Sequence, residues 1–288
     1  MIEKGIILAG GYGTRLGSLT KAVNKQLLPL YDKPLIYYPL SVLMLAGIRN
    51  ILIITNKGEK SNFIKLLGDG SQLGIKITFL EQDKPKGLPD AFIVGEKFIG
   101  KDNVALILGD NFFYGLGFTN RLKTALYKNK GATIFTYIVN NPSDYGILEI
   151  DKRNKVKKII EKPSNPKSNL AITGLYFFNH DVVKFAKNLK PSKRNELEII
   201  DLLKIYLKTK SLKSVFLGRG SAWLDTGSTT NLFNASQYIA AIEERQGLKI
   251  ACIEEISYQN KWITKKQILK RISFYGKCNY ADYLKKII

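Results

Sequence analysis

The sequence predicts an α/β fold: a mixed, mostly parallel sheet flanked by helices, with a small helical addition at the end. Three observations carry this. Apolar strand-like runs alternate with helix-like runs through the first half of the chain, the pattern of a parallel sheet wrapped on both faces. A glycine-rich loop follows directly on the first apolar run. From residue 132 the texture changes, and strand-like runs succeed one another with few helices between.

In order, the first half predicts strands at residues 5–9, 50–55, 75–80 and 104–108, with helices at 35–46, 60–67 and 88–98. Gly47 is placed to stop the first helix. Strands are then expected at 132–139, 147–151, 156–161 and 171–178, helices at 181–189 and 196–209, and a short strand at 214–217. A long helix follows from about residue 229 to 246, and the tail, 247–288, reads as short helices. No internal repeat or linker stands out. The reading is therefore one core over 1–246, with a first part to about 131 and a second over about 132–246, and an extension over 247–288.

The 288 residues are 45% hydrophobic and 24% charged, ordinary for a globular protein. The first apolar run breaks at glycines after about five residues, which predicts no secretory signal. No run reaches the roughly 20 apolar residues of a membrane span. Cys252 and Cys278 fit no metal or redox spacing, so a reducing cytosol is expected. The net charge of +21 admits nucleic acid as a partner. The lysines are spread over the chain without interleaved aromatics, however, so a solvated basic surface and no nucleic acid is the reading preferred. The single histidine, His180, rules out a histidine metal cluster and sits at a turn into a helix.

The loop after the first strand reads Gly10-Gly11-Tyr12-Gly13-Thr14-Arg15-Leu16, followed by Lys25 and Pro29. Glycines let backbone N–H groups approach a phosphate closely, with cations beside them. The dinucleotide fingerprint fails because Leu16 stands at its third glycine, and no P-loop lysine occurs. Gly109-Asp110-Asn111 closes the fourth strand, and such strand ends are where open α/β sheets bind ligands. Asp110 and Asp225 each follow an apolar run. Two hard carboxylates suit Mg²⁺, although either aspartate alone would also serve as a helix cap.

The glycine loop resembles the signature of the sugar nucleotidyltransferases. The likeness continues through Asp32-Lys33-Pro34, Leu108-Gly109-Asp110-Asn111, Glu161-Lys162-Pro163, Thr173-Gly174-Leu175-Tyr176, Glu196-Leu197-Glu198-Ile199 and Trp223-Leu224-Asp225-Thr226-Gly227. Among these enzymes it resembles the short bacterial glucose-1-phosphate thymidylyltransferases, from residue 3 to about 250, with the tail matching more loosely. The resemblance implies a Rossmann-like nucleotide-diphospho-sugar transferase fold. It also implies a Mg²⁺-dependent reaction of dTTP with glucose 1-phosphate, a cytosolic homotetramer, and supply of dTDP-glucose to dTDP-rhamnose and surface polysaccharides.

By that resemblance Leu8, Gly10, Gly11, Gly13, Thr14, Arg15, Lys25, Gln26, Gln82, Gly87, Leu88 and Asp110 hold the nucleotide. Asn111, Tyr145, Gly146, Glu161, Lys162, Thr173, Gly174, Arg194 and Trp223 hold the sugar phosphate. Arg15, Lys25, Asp110, Lys162 and Asp225 are the catalytic set, and Asp110 and Asp225 the metal ligands. Tyr114, Gly115, Arg219 and Glu255 match a second, regulatory nucleotide site. The chain departs from the family at Tyr12, Asp83, Pro89-Asp90, Phe118 and Gln259. Taken alone, Tyr145 and Trp223 read equally as core aromatics, and Glu161-Lys162-Pro163 as a solvated strand end. Two other readings stay open: a UTP- or CTP-using enzyme, and a non-catalytic nucleotide-sugar sensor.

Overall fold

The computed structural model describes residues 2–153 and 155–288. Its strands are β1 (Ile2–Ala9), β2 (Pro29–Leu30), β3 (Lys33–Pro34), β4 (Asn50–Asn56), β5 (Lys76–Gln82), β6 (Asn103–Leu108), β7 (Asn111–Gly115), β8 (Ala132–Ile138), β9 (Gly146–Ile150), β10 (Val156–Glu161), β11 (Leu170–Phe178), β12 (Leu212–Phe216) and β13 (Ser221–Asp225). The helices are α1 (Tyr37–Leu45), α2 (Lys60–Leu67), α3 (Asp90–Val94), α4 (Glu96–Ile99), α5 (Phe118–Lys128), α6 (Val182–Lys187), α7 (Ile199–Lys208), α8 (Thr229–Gln246), α9 (Ile253–Gln259), α10 (Lys265–Tyr275) and α11 (Asn279–Lys286).

Nine strands form the central sheet, in the order β10-β9-β11-β6-β1-β4-β5, with β8 on β11 and β12 on β8. The strands of the first half, β5, β4, β1 and β6, pair parallel. The second half enters antiparallel through β11, and β12 returns parallel to β8. The alternating side chains of the central strands feed two cores. Ile7, Ile51, Ile53 and Ile107 face one core with α1, α2, α5 and α9. Ile6, Leu52, Ile54 and Leu106 face the other with α3, α6 and α7. Burial on both faces explains the continuous apolar runs of these strands.

The expected order of elements holds, with local differences. The helix expected at 88–98 is two short helices that meet at Gly95, where a Cβ would lie 2.8 Å from the Ala91 carbonyl oxygen. The helix expected at 196–209 starts later, at Ile199. Helix α5 and the antiparallel ribbon of β7 with β13 were not foreseen. The ribbon packs with α8 and the β2–β3 hairpin in a third core containing Leu30, Tyr38, Phe112 and Ile239. Gly247 ends α8 with φ of 68°. The tail beyond it has its own small core of Cys252, Ile263, Ile268, Tyr283 and Leu284. Among the described residues, no helix is long and apolar enough to cross a membrane.

Candidate active site

A cleft of about 510 Å³ opens over the carboxyl ends of the parallel strands. Leu8, Gly10, Arg15, Gln26, Gln82, Gly87, Leu88 and Asp110 line it from the first half of the chain. Tyr145, Gly146, Glu161, Lys162 and Asp225 line it from the second half. These residues, far apart in sequence, are the larger part of the set expected to bind substrates.

The ribbon brings the two aspartates together. Its register sets Asp225 opposite Asn111, so Asp110 falls opposite Thr226. Thr226 is fully buried and donates twice to the Asp110 carbonyl, from its N–H at 3.1 Å and its hydroxyl at 2.8 Å. Burial pushes the Asp110 carboxyl up, but the Lys25 ammonium 2.6 Å away and the Asn111 amide outweigh it and hold the group below its ordinary value. Asp225 moves the other way. Burial raises it first and the Asp110 charge second, against the opposing pull of Lys25 and Arg15. Two half-buried carboxylates that repel one another are an arrangement that a hard divalent cation relieves. Among the described residues there is no cluster of three or more His, Cys, Asp or Glu side chains fit to hold a metal, so substrate oxygens would have to complete the coordination.

A cation stands near each member of this pair. Lys25 is buried behind Asp110, 7% exposed, in a short turn capped by Asn24, whose Oδ1 accepts from the Gln26 N–H at 2.9 Å. Arg15 is exposed on the glycine loop, and its guanidinium lies 2.8 Å from where a Cβ on Gly227 would be. Gly11, Gly13, Thr14 and Lys25 are outside the cleft lining.

On the sugar side, Lys162 has φ of 39°, a left-handed conformation uncommon for a residue with a side chain. Its N–H is held by the Tyr145 carbonyl at 3.1 Å, and Pro163 follows. Backbone strain of this kind concentrates at functional positions. Burial raises the Glu161 carboxyl, against the pull of Lys162. Arg194 is engaged with Glu198 through two nitrogens at 2.9–3.3 Å and stays 4.0 Å from Glu161.

Four residues expected at the sugar phosphate lie behind the cleft wall instead. Asn111 Oδ1 accepts from the Trp223 indole N–H at 2.6 Å and the Gly174 N–H at 3.1 Å. Gly174 falls in the register shift of β11, which explains why its N–H leaves the sheet ladder. Thr173 donates to the Phe135 carbonyl at 3.0 Å. These groups form the support beneath Asp110.

Residues 4–242 match the nucleotidyl transferase family. The chain belongs to that family. It is 53% identical over 285 residues to a glucose-1-phosphate thymidylyltransferase of Neisseria gonorrhoeae, covering 99% of each chain. A candidate glucose-1-phosphate thymidylyltransferase of Bacillus anthracis superposes with a TM-score of 0.76 at 37% identity, over 82% of this chain and 94% of that one. A UDP-glucose pyrophosphorylase complexed with UDP-glucose superposes at 0.75 with 27% identity, over 85% and 100%.

Within this nucleotidyltransferase, Tyr12, Asp83 and Pro89-Asp90, where the sequence was expected to depart from the family, are outside the cleft lining. Tyr12 is exposed, and Asp83 faces Lys57 at 3.6 Å on the surface. Asp90 is buried at the start of α3, and burial raises its carboxyl. A second cavity of about 260 Å³ is lined by Tyr114, Gly115, Phe118, Glu255 and Gln259, while Arg219 lies outside it on the exposed turn before β13. The sequence reading assigned no role to Asp144, Tyr176, Glu196 and Ile200, which also line the main cleft. It also passed over Asn56 and Thr226, which hold its walls. Asn56 could have been found by its place at the end of a parallel strand.

Proposed function

We propose that this nucleotidyltransferase joins dTTP to α-D-glucose 1-phosphate, giving dTDP-glucose and pyrophosphate. The observation that carries the reading is one cleft lined by Asp110, which Lys25 backs from behind, by Asp225 and Arg15, and by Glu161 with Lys162. The full-length likeness to thymidylyltransferases favours dTTP over the UTP of the more distant structural neighbour.

A phosphate oxygen of the sugar phosphate attacks the α-phosphorus, and the bond from that phosphorus to the bridging oxygen of pyrophosphate breaks. The nucleophile is already ionised, so the protein need not remove a proton. Its work is alignment and charge neutralisation. In this reading Arg15 and Lys25 meet the triphosphate, Gly10 allows close backbone approach, and Gln82, Gly87, Leu88 and Leu8 receive the base. Lys162 holds the sugar phosphate, and Glu161 accepts from sugar hydroxyls. The donor set fits Mg²⁺, which Asp110 and Asp225 would hold and which would draw charge from the phosphates when bound.

The same reading divides the chain into nucleotide-binding (about 1–131), sugar-phosphate-binding (about 132–246) and C-terminal (247–288) parts. It places a regulatory nucleotide in the cavity at Tyr114, Gly115 and Glu255, in a cytosolic homotetramer. The test is pyrophosphate release from dTTP or UTP with glucose 1-phosphate, with and without Mg²⁺. Mg²⁺-dependent release that needs the sugar phosphate and favours dTTP is expected. Equal rates with UTP would defeat the thymidylyl assignment, and no release with any triphosphate would defeat the enzymatic one.

A further inference from the structure

Asn56 ends β4 beside Gln82 at the end of β5, paired in register. It lies outside the cleft lining. Its carboxamide grips one residue of the glycine loop at two points. Oδ1 accepts from the Gly11 N–H at 3.0 Å, and Nδ2 donates to the Gly11 carbonyl at 3.1 Å. This fixes which way round the amide sits, because the reverse orientation would set donor against donor and acceptor against acceptor. Gly11 itself has φ of 120°, a conformation that few other residues adopt, so the clamp holds a segment with little stiffness of its own.

The fixed sense of Asn56 passes to Gln82. Asn56 Oδ1 also faces Gln82 Nε2, at 3.5 Å. Turning the Gln82 amide over would bring its oxygen against that same acceptor. The buried Gln82 amide has little other room: Nε2 lies 1.8 Å from where a Cβ on Gly10 would stand. With Nε2 turned to Asn56, Gln82 Oε1 is left as the free acceptor in the cleft, with no protein donor among the described residues.

We propose that Asn56 is a positioning residue that sets the Gln82 amide so that an acceptor meets the ring imide N–H of a keto pyrimidine. Preference for thymine over cytosine, whose ring nitrogen at that position is itself an acceptor, is thus relayed from the Gly11 peptide through Asn56 to Gln82. The inference rests on the proposed use of dTTP.

The test compares kcat/KM for dTTP and dCTP in the full-length enzyme and in Asn56→Ala, Asn56→Asp and Gln82→Ala. Aspartate at 56 keeps the acceptor that faces the Gly11 N–H and Gln82, and its second oxygen opposes the Gly11 carbonyl, which loosens the loop for both nucleotides alike, whereas alanine frees Gln82 to turn. Alanine is expected to cut the dTTP-to-dCTP ratio about tenfold or more, mainly through KM, and aspartate to leave it within about twofold. A purely structural role would lower both substrates alike. An unchanged ratio in Asn56→Ala, with a reduced one in Gln82→Ala, overturns the proposal and spares the reading of the base site. An unchanged ratio in Gln82→Ala as well overturns that reading too. Asn56→Ser supplies the same comparison if the alanine chain does not fold.

Discussion

Replacing Asn111 by alanine separates a substrate contact from a structural support. The side chain accepts from the Trp223 indole and the Gly174 N–H and donates to Asp110 at 3.1 Å. All three of Asn111, Trp223 and Gly174 are buried, so alanine leaves two donors without a partner or water. Each such orphan costs about 1–3 kcal/mol, giving about 2–6 kcal/mol together. That is a large part of the roughly 5–15 kcal/mol by which domains are stable. With a slope of about 3 kcal/mol per molar urea, the unfolding midpoint falls by about 0.7–2 M. Trp223→Phe removes one of the two donors and costs about 1 kcal/mol by itself. In the double variant one orphan disappears, so the two losses fall short of additivity by the cost of that orphan, about 1–3 kcal/mol. Urea titrations of the four proteins, followed by circular dichroism, measure this. A loss under about 0.5 kcal/mol in Asn111→Ala, or strict additivity with Trp223→Phe, would refute the support role.

Three further outcomes are expected. Gly10→Ala sets a Cβ 1.8 Å from Gln82 Nε2, and should raise KM for dTTP about tenfold or more while leaving that for glucose 1-phosphate unchanged in steady-state assays. Lys25→Gln removes the cation 2.6 Å from Asp110, and should lower kcat about a hundredfold or more in single-turnover measurements, with secondary structure intact by circular dichroism. Burial pushes Asp32 up, but Lys33 and Lys249 more than reverse it and hold the carboxyl below its ordinary value. Its contribution is therefore complete above a pH of about 4 and is lost as the pH falls through the lower folded value. Asp32→Asn should cost about 1–3 kcal/mol near neutrality, a difference that narrows in acid when both proteins are unfolded in urea across the pH range.

Much of this was legible because local chemistry and global fold agree in the first half of the chain. The apolar runs of β1, β4 and β6 are long, β-branched and broken by glycine, so they read as buried strands. The carboxyl ends of β1 and β6 then located Gly10 and Asp110, whereas Gln82, at the end of β5, came only with the family resemblance. The ribbon was not legible. Asn111–Gly115 and Ser221–Asp225 are short and half polar, and their pairing depends on α8 and the β2–β3 hairpin packing beneath them. For the same reason Asn111 and Trp223 read as substrate contacts, since nothing in the sequence shows that each satisfies the other. Helix α5 had a signal in Phe118, Leu122 and Ala125 at helical spacing, masked by the polar residues between them.

The ribbon also has a consequence for the order in which the chain emerges during synthesis. All four parallel strands, Lys25 and Asp110 are present once β6 has been made, yet Asp225 has no fixed place until β13 pairs with β7. The hydroxyl of Thr226 must then close on the Asp110 carbonyl before the two carboxylates face each other. A nascent chain halted before β13 is therefore a nearly finished sheet that offers only one of the two charges. Activity should appear abruptly with ribosome progress past this strand and not in proportion to the length made.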